Sequence, residues 1–90
     1  MTARVIVYST GRCPLCAKAK TLLDKWGIPY TELRVDQDPA HLREMLAVTG
    51  GARTVPQIVI DGRSVGGFTD LTELHMEGAL DHLVEGGGAA

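Results

Sequence analysis

Two cysteines, the only two in this 90-residue chain, stand three positions apart as Cys13-Pro14-Leu15-Cys16. Residues at i and i+3 in a first helical turn lie one above the other, close enough for a disulfide about 5.5 Å across at the Cα atoms. The first cysteine of such a pair faces the unpaired N–H groups that open a helix, and these favour a negative sulfur. A thiolate is the attacking species in thiol–disulfide exchange, so the spacing points to redox chemistry. Taken alone, Cys-x-x-Cys also serves zinc and iron–sulfur sites. A pair of inert buried cysteines has no need of a helix-starting proline between them. His41, His75 and His82 are scattered, and none has metal-ligand spacing to the cysteines; they read as surface residues, His75 and His82 on the last helical region.

The flanking elements are the ones such a site requires. Val5-Ile6-Val7-Tyr8 is a continuous β-rich run, as expected of a central strand buried on both faces. Ser9 to Arg12 is the loop. Pro14 suits the first helical position, where its missing N–H would be unpaired anyway. Ala19, Leu22, Leu23 and Trp26 repeat at helical spacing, and Gly27 followed by Ile28-Pro29 closes that helix. Trp26 and Tyr30 read as core or helix-end packing. Tyr30 to Asp36 alternates, with Thr31, Leu33 and Val35 on one face and Glu32 and Arg34 on a partly wet one, predicting a strand near a sheet edge. Asp38-Pro39 caps a second helix carrying Leu42, Met45, Leu46 and Thr49, closed by Gly50-Gly51.

The second half reads as a hairpin and a helix. Gln57 to Ile60 and Arg63 to Val65 flank Asp61-Gly62, which suits a tight type I′ turn. After Gly66-Gly67, Thr69 or Asp70 is expected to cap the last helical region, with Asp70 and Glu73 forming a capping box. Leu71, Leu74, Leu80, Leu83 and Val84 supply its buried side, and Gly78 is expected to kink it. The order βαβ then ββα predicts an α/β protein of thioredoxin-like fold, a four-stranded mixed sheet flanked by helices on both faces. Residues 1–85 are read as one domain and 86–90 as a flexible tail.

Composition excludes several functions. A net charge of −2 offers no basic field for nucleic acid. No run approaches the about 20 apolar residues of a membrane span, and four apolar residues after Arg4 are too few for a secretory signal. With two closely spaced cysteines, the expected compartment is the reducing cytoplasm, where such a pair is catalytic or metal-binding.

Cys13-Pro14-Leu15-Cys16, Thr54-Val55-Pro56-Gln57-Ile58 and Gly66-Gly67-Phe68-Thr69-Asp70 together resemble the three signature segments of the glutaredoxins, in order and at the right spacing. The resemblance runs from Val5 to Val84. It is to the dithiol type, and the short length and Gly78-Ala79-Leu80-Asp81 are most similar to the bacterial glutaredoxin 3 subgroup. The resemblance implies a glutathione-dependent thiol–disulfide oxidoreductase, with Cys13 as nucleophile and Cys16 as resolving thiol. It implies a cis Val55-Pro56 bond and a glutathione pocket formed by Arg12, Leu15, Thr54, Val55, Pro56, Gly67, Phe68, Thr69 and Asp70. No metal or other cofactor is bound in this reading, and glutathione is the cosubstrate. The partners implied are glutathione, glutathionylated or disulfide-containing proteins and, indirectly, an NADPH-linked glutathione reductase, the chain acting as a monomer.

Two positions depart from the family's pattern. Thr10 stands where a lysine is common, so Arg12 or Arg53 is the candidate for its role, and Leu15 stands where an aromatic is common. Two rival readings accompany the main one: an iron–sulfur module bridged through Cys13 and glutathione, and a redoxin reduced by thioredoxin reductase.

Overall fold

The computed structural model describes residues 4–84; the tail expected over 86–90 lies outside them. The apolar run becomes strand β1, Val5–Ser9, and it is central, as both of its faces are apolar. β2 (Thr31–Arg34) runs parallel to it on one side, and β3 (Gln57–Ile60) antiparallel on the other. β4 (Arg63–Gly66) pairs with β3 and gives the sheet order β2-β1-β3-β4. Three helices pack on this sheet: α1 (Pro14–Lys25), α2 (Pro39–Thr49) and α3 (Phe68–Met76). The fold is thioredoxin-like, with the mixed sheet and the two-sided helical cover that the element order implies.

Alternation along β1 divides the core in two. Val5 and Val7 join Ala19, Leu23, Ile58, Ile60 and Leu71 under α1 and α3. Tyr8 joins Met45 and Val59 under α2. Each fully buried leucine contributes about 1.5–3 kcal/mol, so Leu23 and Leu71, both without exposed surface, hold α1 and α3 to one sheet face.

Helix ends follow local chemistry. Cys13 is the N-cap of α1 and Pro14 opens it. At its far end Gly27 has φ 73°, with Gly27 N–H donating to Asp24 O and Ile28 N–H to Leu23 O. Asp38 caps α2 by accepting from Ala40 N–H at 2.9 Å. Asp61 and Gly62 both take positive φ, 51° and 81°, as a type I′ turn demands.

Two expectations about the last helix are corrected. α3 begins at Phe68 with Gly67 as its cap, so Thr69 and Asp70 are not N-caps and Asp70 does not pair with Glu73 in a capping box. Asp70 instead sits in the third helical position, and its carboxylate reaches back to accept from Gly67 N–H at 2.9 Å. Glycine can start the helix here because the acid three residues on supplies the missing acceptor. Gly78, expected as a kink, ends the helix. It has φ 78°; its N–H donates to His75 O and Ala79 N–H to Leu74 O, a Schellman closure. Leu80 and Leu83 still reach the core, carried by a separate 3₁₀ turn over Asp81–Leu83. The strand expected over 30–36 is shorter, Thr31–Arg34, at the sheet edge.

Gly78→Ala forces a Cβ into the left-handed region, at a cost of about 1–2 kcal/mol. The expected outcome is a lower urea midpoint with an unchanged denaturant slope; an unchanged midpoint contradicts the role given to Gly78.

Candidate functional site

The chain leaves β1 at Ser9, crosses a loop and enters α1 at Pro14, which puts both cysteines at the helix start. Cys13 is half-buried and Cys16, one turn in, is 1% exposed; both are free thiols. The Cys16 N–H, unpaired within the helix, donates to Cys13 Sγ at 3.1 Å. The Cys13 thiol in turn donates to the Val55 carbonyl oxygen at 3.6 Å. Burial, reinforced by the Cys13 sulfur, pushes the Cys16 thiol up to about 12, against a hydrogen bond from the Thr10 backbone and the nearby Lys20 cation. The two sulfurs thus differ in kind: an outer one met by a backbone donor, and an inner one held as a neutral thiol.

The peptide bond between Val55 and Pro56 is cis, as the resemblance implied. It brings the Val55 carbonyl against the Cys13 sulfur, joining the second segment to the first. The third segment closes the other wall. Gly66 has φ 113°, and a Cβ on it would collide with the Asp70 carboxylate; a Cβ on Gly67 would come within 3.3 Å of Pro56 O. Only glycines let the β4–α3 connection lie this close to the proline.

The result is an open groove of about 400 Å³ lined by Leu15, Thr54, Val55, Pro56, Gly67, Phe68, Thr69 and Asp70. Phe68, Thr69 and Asp70 are the first turn of α3, so their N–H groups face the direction from which an anion is held. Leu15 is 45% exposed, an apolar side chain beside the cysteines with one face open. Arg12 is exposed and does not line the groove; Arg53 is exposed one residue before Thr54.

Two lining residues lie in the signature segments but were not among the residues expected to form the pocket. Gly66 lies next to Gly67. Gln57 is buried and donates from Nε2 to Thr54 Oγ1 at 3.1 Å, bracing the entry to β3. Its signal was a lone amide opening an otherwise apolar strand. The scattered histidines lie elsewhere: His75 stacks on Trp26 with ring centroids 3.7 Å apart, His82 is 3.9 Å from Asp61 and His41 3.7 Å from Asp38. Among the described residues no three His, Cys, Asp or Glu side chains converge as metal ligands, and no helix is long and apolar enough to cross a membrane.

The glutaredoxin family model matches residues 5–65. The chain belongs to the glutaredoxin family. It is 45% identical over 82 residues to glutaredoxin 1 of Rickettsia prowazekii, covering 90% of this chain and 86% of that one. To glutaredoxin 3 of Escherichia coli it is 41% identical over 83 residues, covering 92% of this chain and 99% of the other. Among solved structures, a buckwheat glutaredoxin–glutathione complex superposes with a TM-score of 0.78 at 32% identity, covering 91% of this chain and 76% of that one. As a glutaredoxin with its cysteine pair at the helix start, this chain is a thiol oxidoreductase.

Alkylation reads the difference between the two sulfurs directly. Mass spectrometry after iodoacetamide treatment of the native protein at pH 8 should find one adduct, on Cys13, because the raised Cys16 thiol stays protonated and covered. Two adducts should form in denaturant, where Cys16 titrates near its ordinary value of 9.0. Rapid double alkylation of the native protein contradicts this asymmetry.

Proposed function

We propose that this glutaredoxin is a glutathione-dependent thiol–disulfide oxidoreductase that reduces glutathione mixed disulfides and protein disulfides through Cys13 and Cys16. The observation that carries the reading is the groove, lined by Val55, whose carbonyl accepts from the Cys13 thiol, and by Phe68, Thr69 and Asp70 of the first turn of α3. The similarity to a glutaredoxin solved with glutathione supports it.

Glutathione is a short extended peptide with a thiol at its centre and a carboxylate at each end. In this reading its cysteinyl unit pairs with the Val55 backbone as an added strand, which directs its sulfur at Cys13. The γ-glutamyl carboxylate takes the N–H groups of Thr69 and Asp70, and the Asp70 carboxylate takes the adjacent ammonium. Thr54, Pro56, Gly67 and Phe68 form the walls, and Leu15 packs on the apolar part. Arg12 or Arg53 answers the glycyl carboxylate from the surface.

Two routes use this site. In the monothiol route, the Cys13 thiolate attacks the glutathione sulfur of a mixed disulfide; the protein thiolate leaves and takes a proton, and Cys13 carries glutathione. A second glutathione thiolate then attacks that sulfur, releasing glutathione disulfide and regenerating Cys13. In the dithiol route, Cys13 attacks a protein disulfide, and Cys16 attacks Cys13 to release the substrate and leave a Cys13–Cys16 bond. A glutathione reductase using NADPH restores the glutathione pool in either case. Cytoplasmic residence and action as a monomer belong to the same proposal.

Turnover of a small glutathione mixed disulfide by purified protein tests the assignment. Cys13→Ser should abolish all activity. Cys16→Ser should keep deglutathionylation and lose most protein-disulfide reduction; equal loss on the glutathionylated substrate in both variants contradicts the division of labour.

Asp70→Ala separates binding from capping. Loss of the cap should cost about 1 kcal/mol of stability. Loss of the ammonium partner should raise the KM for glutathione about tenfold, the worth of one charged hydrogen bond. A destabilised variant with unchanged glutathione dependence would leave Asp70 only as the acceptor for the Gly67 N–H at the start of α3.

A further inference from the structure

A polar cluster lies on the sheet side of Cys16 and takes no part in the routes above. Lys20 is four residues past Cys16 on α1, so the two share a helix face. Glu32 and Arg34 of β2 pair in register with Val7 and Ser9 of β1, which places all four on the sheet face that α1 covers. Lys20 Nζ lies 2.7 Å from Glu32 Oε2, and the fully buried Ser9 hydroxyl donates to the same oxygen. Both side chains of the ion pair are only 29% exposed.

Arg34 is fixed in a second pair. Its Nε and a terminal nitrogen donate to the two Asp36 oxygens at 2.8 and 2.7 Å, and Asp36 Oδ2 also accepts from Gly11 N–H at 3.1 Å. A Cβ on Gly11 would collide with the Arg34 guanidinium, so the cation lies directly on the loop that leads to Cys13. Each cation is thus held by a carboxylate of its own, one beside the helix and one beside the loop.

The charge coupling agrees with the geometry. Donating to the Glu32 carboxylate raises Lys20, and donating to Asp36 does the same for Arg34; charge on Cys16 adds to both in the same direction. Lys20 acts back on Cys16, favouring its anion. Against its burial, which works the other way, hydrogen bonds from Lys20 and Ser9 hold the Glu32 carboxyl below its usual range, so it stays ionised as the anchor. The titratable groups about the Cys16 sulfur are Cys13 at the helix cap, Lys20 on α1 and Arg34 on β2; Glu32, Tyr30 and Asp36 act through the two cations.

We propose that Lys20, anchored by Glu32 and Ser9 and seconded by Arg34, promotes the resolving step by stabilising the Cys16 sulfur as it becomes an anion. The inference rests on the dithiol route above. In that step Cys16 gives its proton to solvent, and its sulfur attacks Cys13 Sγ in the Cys13–substrate mixed disulfide. The Cys13–Cys16 bond forms, the bond to the substrate sulfur breaks, and the substrate thiolate leaves and takes a proton. The electrons come from the Cys16 thiolate, so no further reductant is needed. Lys20 is half-buried and lies one turn past Cys16, so its charge bears on the resolving thiol, which makes it a determinant of how the protein divides its work between protein disulfides and glutathione adducts. Glu32 and Ser9 are positioning residues.

The test compares two rates in the full-length protein across pH 6 to 9: single-turnover reduction of insulin by pre-reduced protein, and turnover of a small glutathione mixed disulfide. Lys20→Met should lower the ratio of the first rate to the second about tenfold at pH 7, the effect of removing one nearby charge. It should also lower the insulin rate at every pH in this window, because the Cys16 thiol titrates above it. Lys20→Arg should restore both, and Glu32→Gln, which keeps the cation and loosens its anchor, should fall between. An unchanged ratio and insulin rate in Lys20→Met and Glu32→Gln overturns the proposal. So does equal loss in Lys20→Met and Lys20→Arg, which marks a structural role only. A wild-type protein that reduces insulin but does not turn over the glutathione adduct fails the glutathione reading, and the proposal is then decided by the insulin rates of Lys20→Met and Lys20→Arg alone.

Discussion

The rest of the structure depends on one hydrogen bond, from the Cys16 N–H to the Cys13 sulfur. The nucleophile is also the N-cap of α1, so the atom that does chemistry is the atom that completes the helix. Capping oxygens are usual at this position because a helix start leaves donors unpaired. A sulfur in their place meets one of the same donors, so the nucleophile is fixed in position by the helix it opens. Pro14 contributes by fixing the turn without asking for a partner of its own.

The other elements serve that atom by position. β1 is buried on both faces, and a slip in register would exchange the side chains packed under α1 and α3 with those under α2. It delivers the loop, while β3, antiparallel to it, begins just after the cis bond that turns the Val55 carbonyl to the sulfur. The glycine pair before α3 brings a second helix start to the same groove. Two helix N-termini thus open at one end of the molecule, one occupied by its own cysteine and the other available to a ligand.

What the sequence made legible is what depends on neighbours in the chain. The apolar run of β1, the helix spacing around Leu23, the capping Asp38 and the Asp61-Gly62 turn each carry their own cause within a few residues. The last helix was harder. Asp70 is a good capping residue by type, but here it works from inside the helix, and Gly67 holds the cap only because the acid can reach back. Gly78 ends a helix whose apolar spacing continues past it, because Leu80 and Leu83 return to the core by another path. The groove was visible as three motifs, while the brace that Gln57, a member of one of them, gives to Thr54 was not. Lys20, Glu32, Arg34 and Asp36 were invisible as a cluster. Alternation along β2 says which residues share a face and nothing of which helix side chain meets them.

The stack of His75 on Trp26 lies at the opposite end of both active helices. Trp26 caps the C-terminus of α1, and His75 sits in the last turn of α3. α1 and α3 each begin at the groove and are joined at their far ends by two nearly parallel rings, 10° apart. The stack therefore fastens the far ends of the two helices whose starts meet at the groove, a contact between them that touches no substrate. As the chain has a single tryptophan, its fluorescence reports on that contact.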